Sequence, residues 1–295
     1  MDIIDLSGAI DLHVHTHPCL FDRVCDDRTA AFAYAQAGMS GCMIKCHHES
    51  TVSRAREVEC QVQAQYPGFR VFGGIVLNYY VGGINPQAVE AAVRLGGRCV
   101  WMPTTDAENH ARAHGGRGVY DVQASGSSGR AAVSGVTVFD SDGKISEATV
   151  EVLKVVADYG VILGTSHLSH EEIFALVKAA RDAGVKKVLI THPFFKVPML
   201  SVEQLKELVE LGATPEFGYC TVSPMWAYAS LDKVVGAIKT LGARNCVLMS
   251  DAGQRHNPMP PEALRVFCQC LYEKGLTKEE IGLLTCGNPK RLLDL

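Results

Sequence analysis

Short apolar runs alternate with amphipathic stretches of helical period along almost all of this 295-residue chain. We identify eight such strand–helix repeats, each delimited by glycine, proline or a helix-capping residue. After a first strand that ends near residue 15, the predicted strands lie at residues 42–46, 71–77, 99–102, 161–167, 187–193, 213–217 and 246–251. Strands that alternate with helices pair in parallel through right-handed crossovers. Eight of them close most economically into a (β/α)8 TIM barrel, an α/β fold that suits this length.

The repeat is interrupted after the fourth predicted strand. Residues 103–148 form a predicted insertion, and within it residues 103–135 are rich in glycine and show little periodicity. Because so long a segment inside a compact domain is usually functional, we predict that it forms a lid over the barrel mouth. The repeats leave no residues for another domain, so residues 1–295 are predicted to be one domain. A doubly wound open sheet is the alternative, but no Gly-x-Gly-x-x-Gly follows the first strand.

The overall charge of the chain argues against polyanionic partners. The net charge is −4, the isoelectric point is near 6.3, and no run is rich in lysine or arginine. Nucleic acid and anionic membranes are therefore not expected partners. No apolar segment reaches ~18 residues and no signal-peptide pattern opens the chain, which predicts a cytoplasmic protein. The eleven cysteines, an odd number without a Cys-x-x-Cys pair, are interpreted as reduced thiols.

Metal-ligating side chains fall at the carboxyl ends of five predicted strands. His13 and His15 alternate on one strand, so their side chains share a face. The other residues at strand ends are Lys45, His167, His192 and Asp251. In a barrel these ends converge on one mouth, where active sites of this fold lie. Burying so many unpaired titratable groups would be costly, and a bound cation explains their clustering.

At these residues the sequence resembles the amidohydrolase superfamily of metal-dependent hydrolases. The resemblance covers nearly the whole chain and rests on His-x-His at 13–15, His-Leu-Ser at 167–169, Thr-His-Pro at 191–193, Ser-Asp at 250–251 and the closing Gly-Asn-Pro-Lys-Arg-Leu-Leu. It is closest to a small, single-domain branch with Ile-Lys-Cys-His-His after strand two, Val-Trp-Met-Pro-Thr after strand four and Asp-Ala-Gly-Gln after strand eight. The resemblance implies a distorted (β/α)8 barrel without the β-sandwich that many members add.

The resemblance also implies the roles of the strand-end residues. His13, His15 and Asp251 would hold the more buried metal, while His167 and His192 would hold a second metal or orient substrate and water. Two-metal members commonly bridge their ions with a carboxylated lysine or a glutamate, and strand four ends here in Trp101-Met102-Pro103, which supplies neither. Lys45 could carry a carbamate bridge, or it could stay cationic and pair with a substrate carboxylate. The number of metal ions, one or two, therefore stays open.

Other residues near the predicted mouth are candidates for binding substrate. Their side chains offer hydrogen-bond donors, acceptors or charge close to the strand ends, and they are His47, His48, His110, His114, Glu216, Gln254 and Arg255. The forked guanidinium of Arg255 would suit an anionic group of the substrate.

These ligands predict a metal-dependent hydrolase. A mixed imidazole and carboxylate set favours Zn²⁺, with Mn²⁺ or Fe²⁺ as alternatives, and such an ion brings the pKa of water down to around 7. Asp251 is the predicted proton shuttle. We expect a small-molecule substrate cleaved at an amide, cyclic amide or other C–N bond, with lactone or ester hydrolysis as a close second. A single-metal decarboxylase or hydratase of aromatic acids is another enzyme class, and a non-enzymatic metal-binding protein is a third hypothesis. Self-association into a homo-oligomer is left open.

Overall fold

The computed structural model describes residues 2–120 and 134–295. Within these residues short strands alternate with helices, as the sequence predicts. The strands are β1 (Ile10–Val14), β2 (Gly41–Ile44), β3 (Arg70–Phe72), β4 (Gly74–Val76), β5 (Cys99–Trp101), β6 (Ile162–Gly164), β7 (Val188–Thr191), β8 (Ala213–Gly218) and β9 (Val247–Met249). The helices are α1 (Asp27–Gln36), α2 (Val52–Gln63), α3 (Pro86–Arg94), α4 (Glu108–His114), α5 (Glu147–Tyr159), α6 (His170–Asp182), α7 (Val202–Glu210), α8 (Tyr219–Val222), α9 (Leu231–Leu241), α10 (Pro260–Glu273), α11 (Lys278–Gly282) and α12 (Asn288–Leu293).

All the strand pairs are parallel and follow the chain order. One sheet has the order β1-β2-β3 and the other runs from β4 to β9. Gly73 alone separates β3 from β4, so together they correspond to the single predicted strand at residues 71–77. A side chain at Gly73 would meet the backbone of α2, because a Cβ there would lie 2.7 Å from the carbonyl oxygen of Thr51. The predicted strand is therefore present, interrupted where the chain passes against α2.

Hydrogen bonds link the last strand to the first. Val14 pairs with Ala252 just beyond the end of β9. The backbone N–H of His15 donates to the carbonyl of Ala252 at 2.8 Å, and that of Asp251 donates to the carbonyl of His13 at 2.9 Å. The eight predicted strands thus follow one another in the order of a (β/α)8 barrel. The α/β barrel class predicted from the sequence is confirmed.

The helices cover the outside of the strands with amphipathic faces. In α6 the buried apolar residues Ile173, Leu176, Val177 and Ala180 recur at helical spacing. Capping boxes begin this helix at Ser169 and α7 at Ser201, as their sequences predict. None of the helices in the described part of the chain has both the length and the apolar composition that a membrane span requires.

The apolar interior lies below the carboxyl ends of the strands. Its side chains come from most of the strands and from the C-terminal helix: Ile10, Leu12, Met43, Phe72, Val76, Cys99, Trp101, Ile162, Leu189, Val247, Leu292 and Leu293. A β-bulge shifts the pairing of β1 with β2 between Asp11 and Val14. Because the bulge resets the alternation of side chains, Leu12 lies in this interior while His13, its neighbour, lies with the polar groups of the mouth. The interior is therefore packed beneath a polar layer.

The predicted lid at residues 103–135 is only partly described. Residues 121–133 lie outside the described residues, so the lid stays a prediction. Its first part was expected to lack periodicity, but residues Glu108–His114 form α4. Seven residues are too few for a helical repeat to be recognised in the sequence. The helix matters for the site because His110 and His114 on it are both buried.

Candidate active site

A cavity of about 340 Å³ lies at the carboxyl ends of the strands. All six residues predicted as metal ligands line it: His13, His15, Lys45, His167, His192 and Asp251. Three of the residues predicted to bind substrate, His47, Gln254 and Arg255, also line it. The described structure thus brings together side chains from the ends of β1, β2, β6, β7 and β9.

Three of these side chains converge on one point. His13 Nε2 lies 3.3 Å from His15 Nε2 and 3.3 Å from Asp251 Oδ1, and His15 Nε2 lies 3.2 Å from the same oxygen. Donors held 2.0–2.1 Å from a tetrahedral ion are about 3.3–3.4 Å apart. The triangle therefore fits a divalent cation without rearrangement.

The protonation of the two imidazoles suits them to bind a cation. Burial, followed by the positive charge of Lys45, lowers the pKa of His13 well below its usual value. Burial, followed by the charges of Arg23 and Lys45, does the same to His15. His15 Nδ1 lies 3.0 Å from the carbonyl oxygen of Lys45, so Nδ1 carries the proton and Nε2 keeps the lone pair that faces the triangle. Both histidines are thus neutral ligands at neutral pH.

Lys45 is buried beside the triangle. Its Nζ lies 3.1 Å from His13 Nε2 and 5.4 Å from the ring centre of Trp101. Burial lowers the pKa of Lys45 to about 8, against the opposing effects of Asp251 and Glu216. An uncharged amine is the form that can become a carbamate, whereas the charged form would attract a substrate anion. Both roles predicted for Lys45 are compatible with this position.

Glu216 is a second carboxylate of the cluster. Glu216 was predicted to lie near the mouth and to bind substrate, whereas Asp251 was the only carboxylate predicted among the metal ligands. Glu216 is fully buried at the end of β8, and its Oε2 lies 3.5 Å from His13 Nδ1. Burial raises its pKa well above the usual value. Within the described part of the chain, neither carboxylate oxygen has a hydrogen-bond partner, and neither does His13 Nδ1. Glu216 therefore lies on the Nδ1 side of His13, whose other ring nitrogen, Nε2, faces the triangle.

We expect Glu216→Gln to weaken divalent metal binding 10–100-fold, because carboxylates behind a ligating imidazole orient it and raise its basicity. Competition with a chelator of known affinity would measure the zinc dissociation constant. Glu210→Gln, an exposed change at the end of α7, is the matched control. An unchanged dissociation constant in a folded Glu216→Gln variant would exclude this role for Glu216.

A chain of histidines forms the wall opposite His15. His110 Nε2 lies 2.9 Å from the carbonyl oxygen of Val119, and its Nδ1 lies 2.8 Å from His167 Nδ1. Since the carbonyl needs a proton on Nε2, His110 Nδ1 accepts the proton of His167 Nδ1. The lone pair of His167 is then on Nε2, the nitrogen available to a cation or a substrate. His114 stacks on His110 with ring centres 4.4 Å apart, so both predicted residues of α4 support the wall rather than line the cavity.

The remaining predicted substrate-binding residues differ in their exposure. His47 stacks on His15 with ring centres 4.8 Å apart, and its Nδ1 lies 2.8 Å from Thr104 Oγ1. Arg255 is largely exposed at the rim, where it lies 3.4 Å from Asp22. His48 does not line the cavity, and its Nδ1 lies 3.8 Å from the sulfurs of Cys19 and Cys46.

Sequence reasoning missed Arg23, which lines the cavity and is only 7% exposed. Its Nε donates to Cys19 Sγ at 3.3 Å, but its Nη2 is buried with no hydrogen-bond partner in the described structure. No carboxylate within residues 2–120 and 134–295 forms an ion pair with it. Its position in the loop after the first strand was the available signal, since such loops build the mouth of a barrel.

Aromatic side chains that the sequence did not assign form the upper wall of the cavity. They are Phe21, Tyr120, Phe195 and Trp226. Trp226 contacts both Tyr120 and Phe195, with ring centres 5.8 and 5.5 Å apart. The cavity thus has a polar floor that can bind a cation, a buried guanidinium and an apolar wall.

Comparisons with known proteins support the fold. A model of a family of unknown function, DUF6282, matches residues 8–216. A search of curated proteins finds no match. Among solved structures, the chain is similar to the probable dipeptidase PvdM of Pseudomonas aeruginosa, with a TM-score of 0.62, 12% identity and coverage of 97% of this chain and 94% of that one.

Two further structures are similar over nearly their whole length. An amidohydrolase from Pseudomonas aeruginosa gives a TM-score of 0.60 at 12% identity and covers 97% of this chain and 95% of its own. A 2,6-dihydroxybenzoate decarboxylase from Rhizobium gives 0.55 at 10% identity, with coverage of 98% and 99%. The predicted resemblance to the amidohydrolase superfamily is confirmed for the fold.

Proposed function

The chain belongs to DUF6282, a family of unknown function, and from its candidate site we propose that it is a metal-dependent hydrolase of a small molecule. The observation that carries this proposal is the triangle of His13, His15 and Asp251, whose donor atoms lie 3.2–3.3 Å apart at the floor of the cavity. Zn²⁺ is the ion proposed, with Mn²⁺ or Fe²⁺ as alternatives, because imidazole nitrogen and carboxylate oxygen suit all three.

The reaction proposed is cleavage of an amide, cyclic amide or other C–N bond. A divalent ion in this site would supply Lewis acidity, polarising a carbonyl oxygen and lowering the pKa of water. Asp251 accepts the proton of the attacking water and returns it to the leaving nitrogen. His167 and His192, whose ring centres are 5.0 Å apart, orient the substrate at the opposite wall. Lactone or ester hydrolysis requires the same groups and remains the close alternative.

The charge and shape of the cavity narrow the substrate class. Arg23 presents a buried guanidinium nitrogen that has no partner among residues 2–120 and 134–295, and this nitrogen would bind a carboxylate or a similar anion. Phe21, Tyr120 and Trp226 provide flat apolar surfaces beside it. We therefore propose a small, flat substrate with one anionic group.

A decarboxylase acting on an aromatic acid is the second candidate. The set of metal-binding side chains favours it. β5 ends in Trp101 and leads into Met102 and Pro103, which offer no ligand that could bridge two ions, and this favours a site for a single ion. One of the similar structures is a 2,6-dihydroxybenzoate decarboxylase. A single ion held by the triangle beside an aromatic wall would supply Lewis acidity to such a reaction, in which water is not consumed.

A screen in oxygen-18-labelled water would distinguish these candidates. Metal-loaded protein would be incubated with small carboxylic acids that carry an amide, a cyclic amide, a lactone or an aromatic ring. Hydrolysis of a C–N bond places the label in the new carboxylate of the product. Decarboxylation instead releases carbon dioxide from an unlabelled carboxylate, and turnover of that kind alone would replace the hydrolase proposal with the second candidate.

We expect the purified protein to hold one or two divalent ions, and His13→Ala/His15→Ala to remove the ion of the triangle. Elemental analysis after expression with added zinc would measure the number of ions per chain. His170→Ala, on α6 outside the cavity, is the matched control. Fewer than ~0.2 ions per chain in the wild-type protein, or an equal content in the double variant, would contradict the site, since a preformed site should be mostly filled.

A further inference from the structure

A second cluster of metal-ligating side chains lies beside the cavity. Cys19, Cys46 and His48 each offer one donor atom, and the three atoms lie within 4.8 Å of one another. His48 Nδ1 is 3.8 Å from Cys19 Sγ and 3.8 Å from Cys46 Sγ. Neither cysteine forms a disulfide. None of these residues belongs to the triangle of His13, His15 and Asp251.

The two separations from His48 Nδ1 to the sulfurs are close to those of ligands around a zinc ion, and the two sulfurs lie within 4.8 Å of each other. With Zn–S near 2.3 Å and Zn–N near 2.0–2.1 Å, tetrahedral ligands are separated by about 3.6 Å for sulfur and nitrogen and about 3.8 Å for two sulfurs. The observed separations of 3.8 Å from nitrogen to sulfur require a closure of only a few tenths of an ångström. Thiolate and imidazole together favour Zn²⁺ over Mg²⁺, Ca²⁺ or Mn²⁺, which prefer oxygen.

The two loops that carry these donors are tied together by other contacts. Arg54 of α2 donates to Asp27, the first residue of α1, through two nitrogens at 2.7 Å and to the carbonyl of Pro18 in the loop after β1 at 2.8 Å. It also pairs with Glu49, which follows His48 in the loop after β2. The donors are thus held near one another without an ion, which lowers the cost of binding one.

Arg23 completes the surroundings of Cys19. Its Nε donates to Cys19 Sγ at 3.3 Å. A hydrogen bond from a cation to sulfur stabilises the thiolate, which is the form that binds a metal. Two thiolates and Zn²⁺ sum to no net charge, so the guanidinium keeps its attraction for an anion in the cavity.

We propose that Cys19, Cys46 and His48 bind a Zn²⁺ ion in a site separate from the triangle, with a fourth position open to solvent or to an exogenous ligand. Binding releases the thiol protons. The ion would join the loop that carries Arg23 to the loop that carries His47, and both side chains line the cavity. A bound ion would therefore hold in place the loop that carries Arg23, the side chain proposed to bind the anionic group of the substrate.

Cobalt substitution tests this site apart from the first one. In the reduced full-length protein loaded with Co²⁺, we expect a near-ultraviolet sulfur-to-cobalt charge-transfer band. The triangle of His13, His15 and Asp251 contains no sulfur and cannot produce the band, so the result is independent of the proposed function. Cys19→Ser/Cys46→Ser should abolish the band and lower the bound cobalt by one ion per chain. Cys60→Ser, an exposed cysteine outside the cluster, should leave both unchanged.

Alkylation of the wild-type protein provides a test that does not depend on the folding of a variant. With added Zn²⁺, the partly exposed Cys19 should become protected from a maleimide, while the exposed Cys60 should react equally with and without the ion. The proposal is overturned if cobalt-loaded wild-type protein lacks the band, or if the double variant retains it. Equal alkylation of Cys19 with and without Zn²⁺, or a Cys19–Cys46 disulfide in the freshly reduced protein, would also overturn it.

Discussion

Asp251→Asn is expected to lower turnover of the substrate at least about a hundredfold, since general base catalysis is typically worth ~10²–10⁴ in rate. Asn keeps the size of the side chain and one oxygen donor but cannot accept a proton. Asp251 Oδ1 lies 3.3 and 3.2 Å from the nitrogens of His13 and His15, so an attacking water at the triangle would be within its reach. Burial raises the pKa of Asp251, and a bound cation would keep it ionised at neutral pH.

The measurement is kcat for the substrate found in the screen, with zinc content and thermal unfolding followed in the same preparations. Asp182→Asn, an exposed change at the end of α6, controls for the loss of one negative charge. If Asp251→Asn retained full metal and more than about a tenth of the wild-type kcat, Asp251 would not be the proton shuttle. A histidine of the opposite wall, His167 or His192, would then be the next candidate.

Arg23→Gln is expected to raise the KM for an anionic substrate about 10–150-fold, which corresponds to the roughly 1.5–3 kcal/mol of a hydrogen bond to a charged group. Gln preserves a hydrogen-bond donor and removes the positive charge. The effect should be large because Arg23 is buried and its Nη2 has no competing partner in the described structure. The kcat should change less than the KM if Arg23 binds the anion equally in the ground and transition states.

Arg255→Gln is the matched comparison, because Arg255 lines the same cavity but is mostly exposed and lies 3.4 Å from Asp22. A solvated guanidinium loses little on substitution, so the KM should change by only a few-fold. A neutral analogue, such as the methyl ester of the substrate acid, should be insensitive to Arg23→Gln. If the anionic substrate were equally insensitive, or if Arg255→Gln had the larger effect, the anion would be bound elsewhere.

The amino-acid pattern alone was enough to predict the fold class and the end of the barrel at which the candidate site lies. Both rest on local signals, because apolar periodicity and helix caps are set by residues close together in the chain. The capping boxes at Ser169 and Ser201 are present as predicted. The clustering of His13, His15 and Asp251 could also be predicted, since parallel strands place their carboxyl ends at one mouth.

Three features depended on tertiary structure. Because of the bulge in β1, the side chains of Leu12 and His13 both face the inside of the barrel, Leu12 in the apolar interior and His13 in the polar layer. Strict alternation would put these neighbours on opposite faces of the strand. Glu216 lies behind His13 because β8 is packed in the ring, which no local pattern reveals. Arg23 is buried beside the cavity although its sequence neighbours resemble an ordinary surface loop.

The cysteine cluster shows most clearly the difference between what the sequence predicts and what depends on tertiary structure. In the sequence Cys19, Cys46 and His48 have no recognisable ligand spacing, and the cysteines were interpreted simply as reduced thiols. The pairing of β1 with β2 and the contacts of Arg54 bring their two loops together. The sequence pattern therefore determined which residues end each strand. The tertiary structure alone decided which strand ends and which loops bring their ligand atoms close enough to bind one ion. The distances between those atoms are set by packing between segments that are far apart in the sequence.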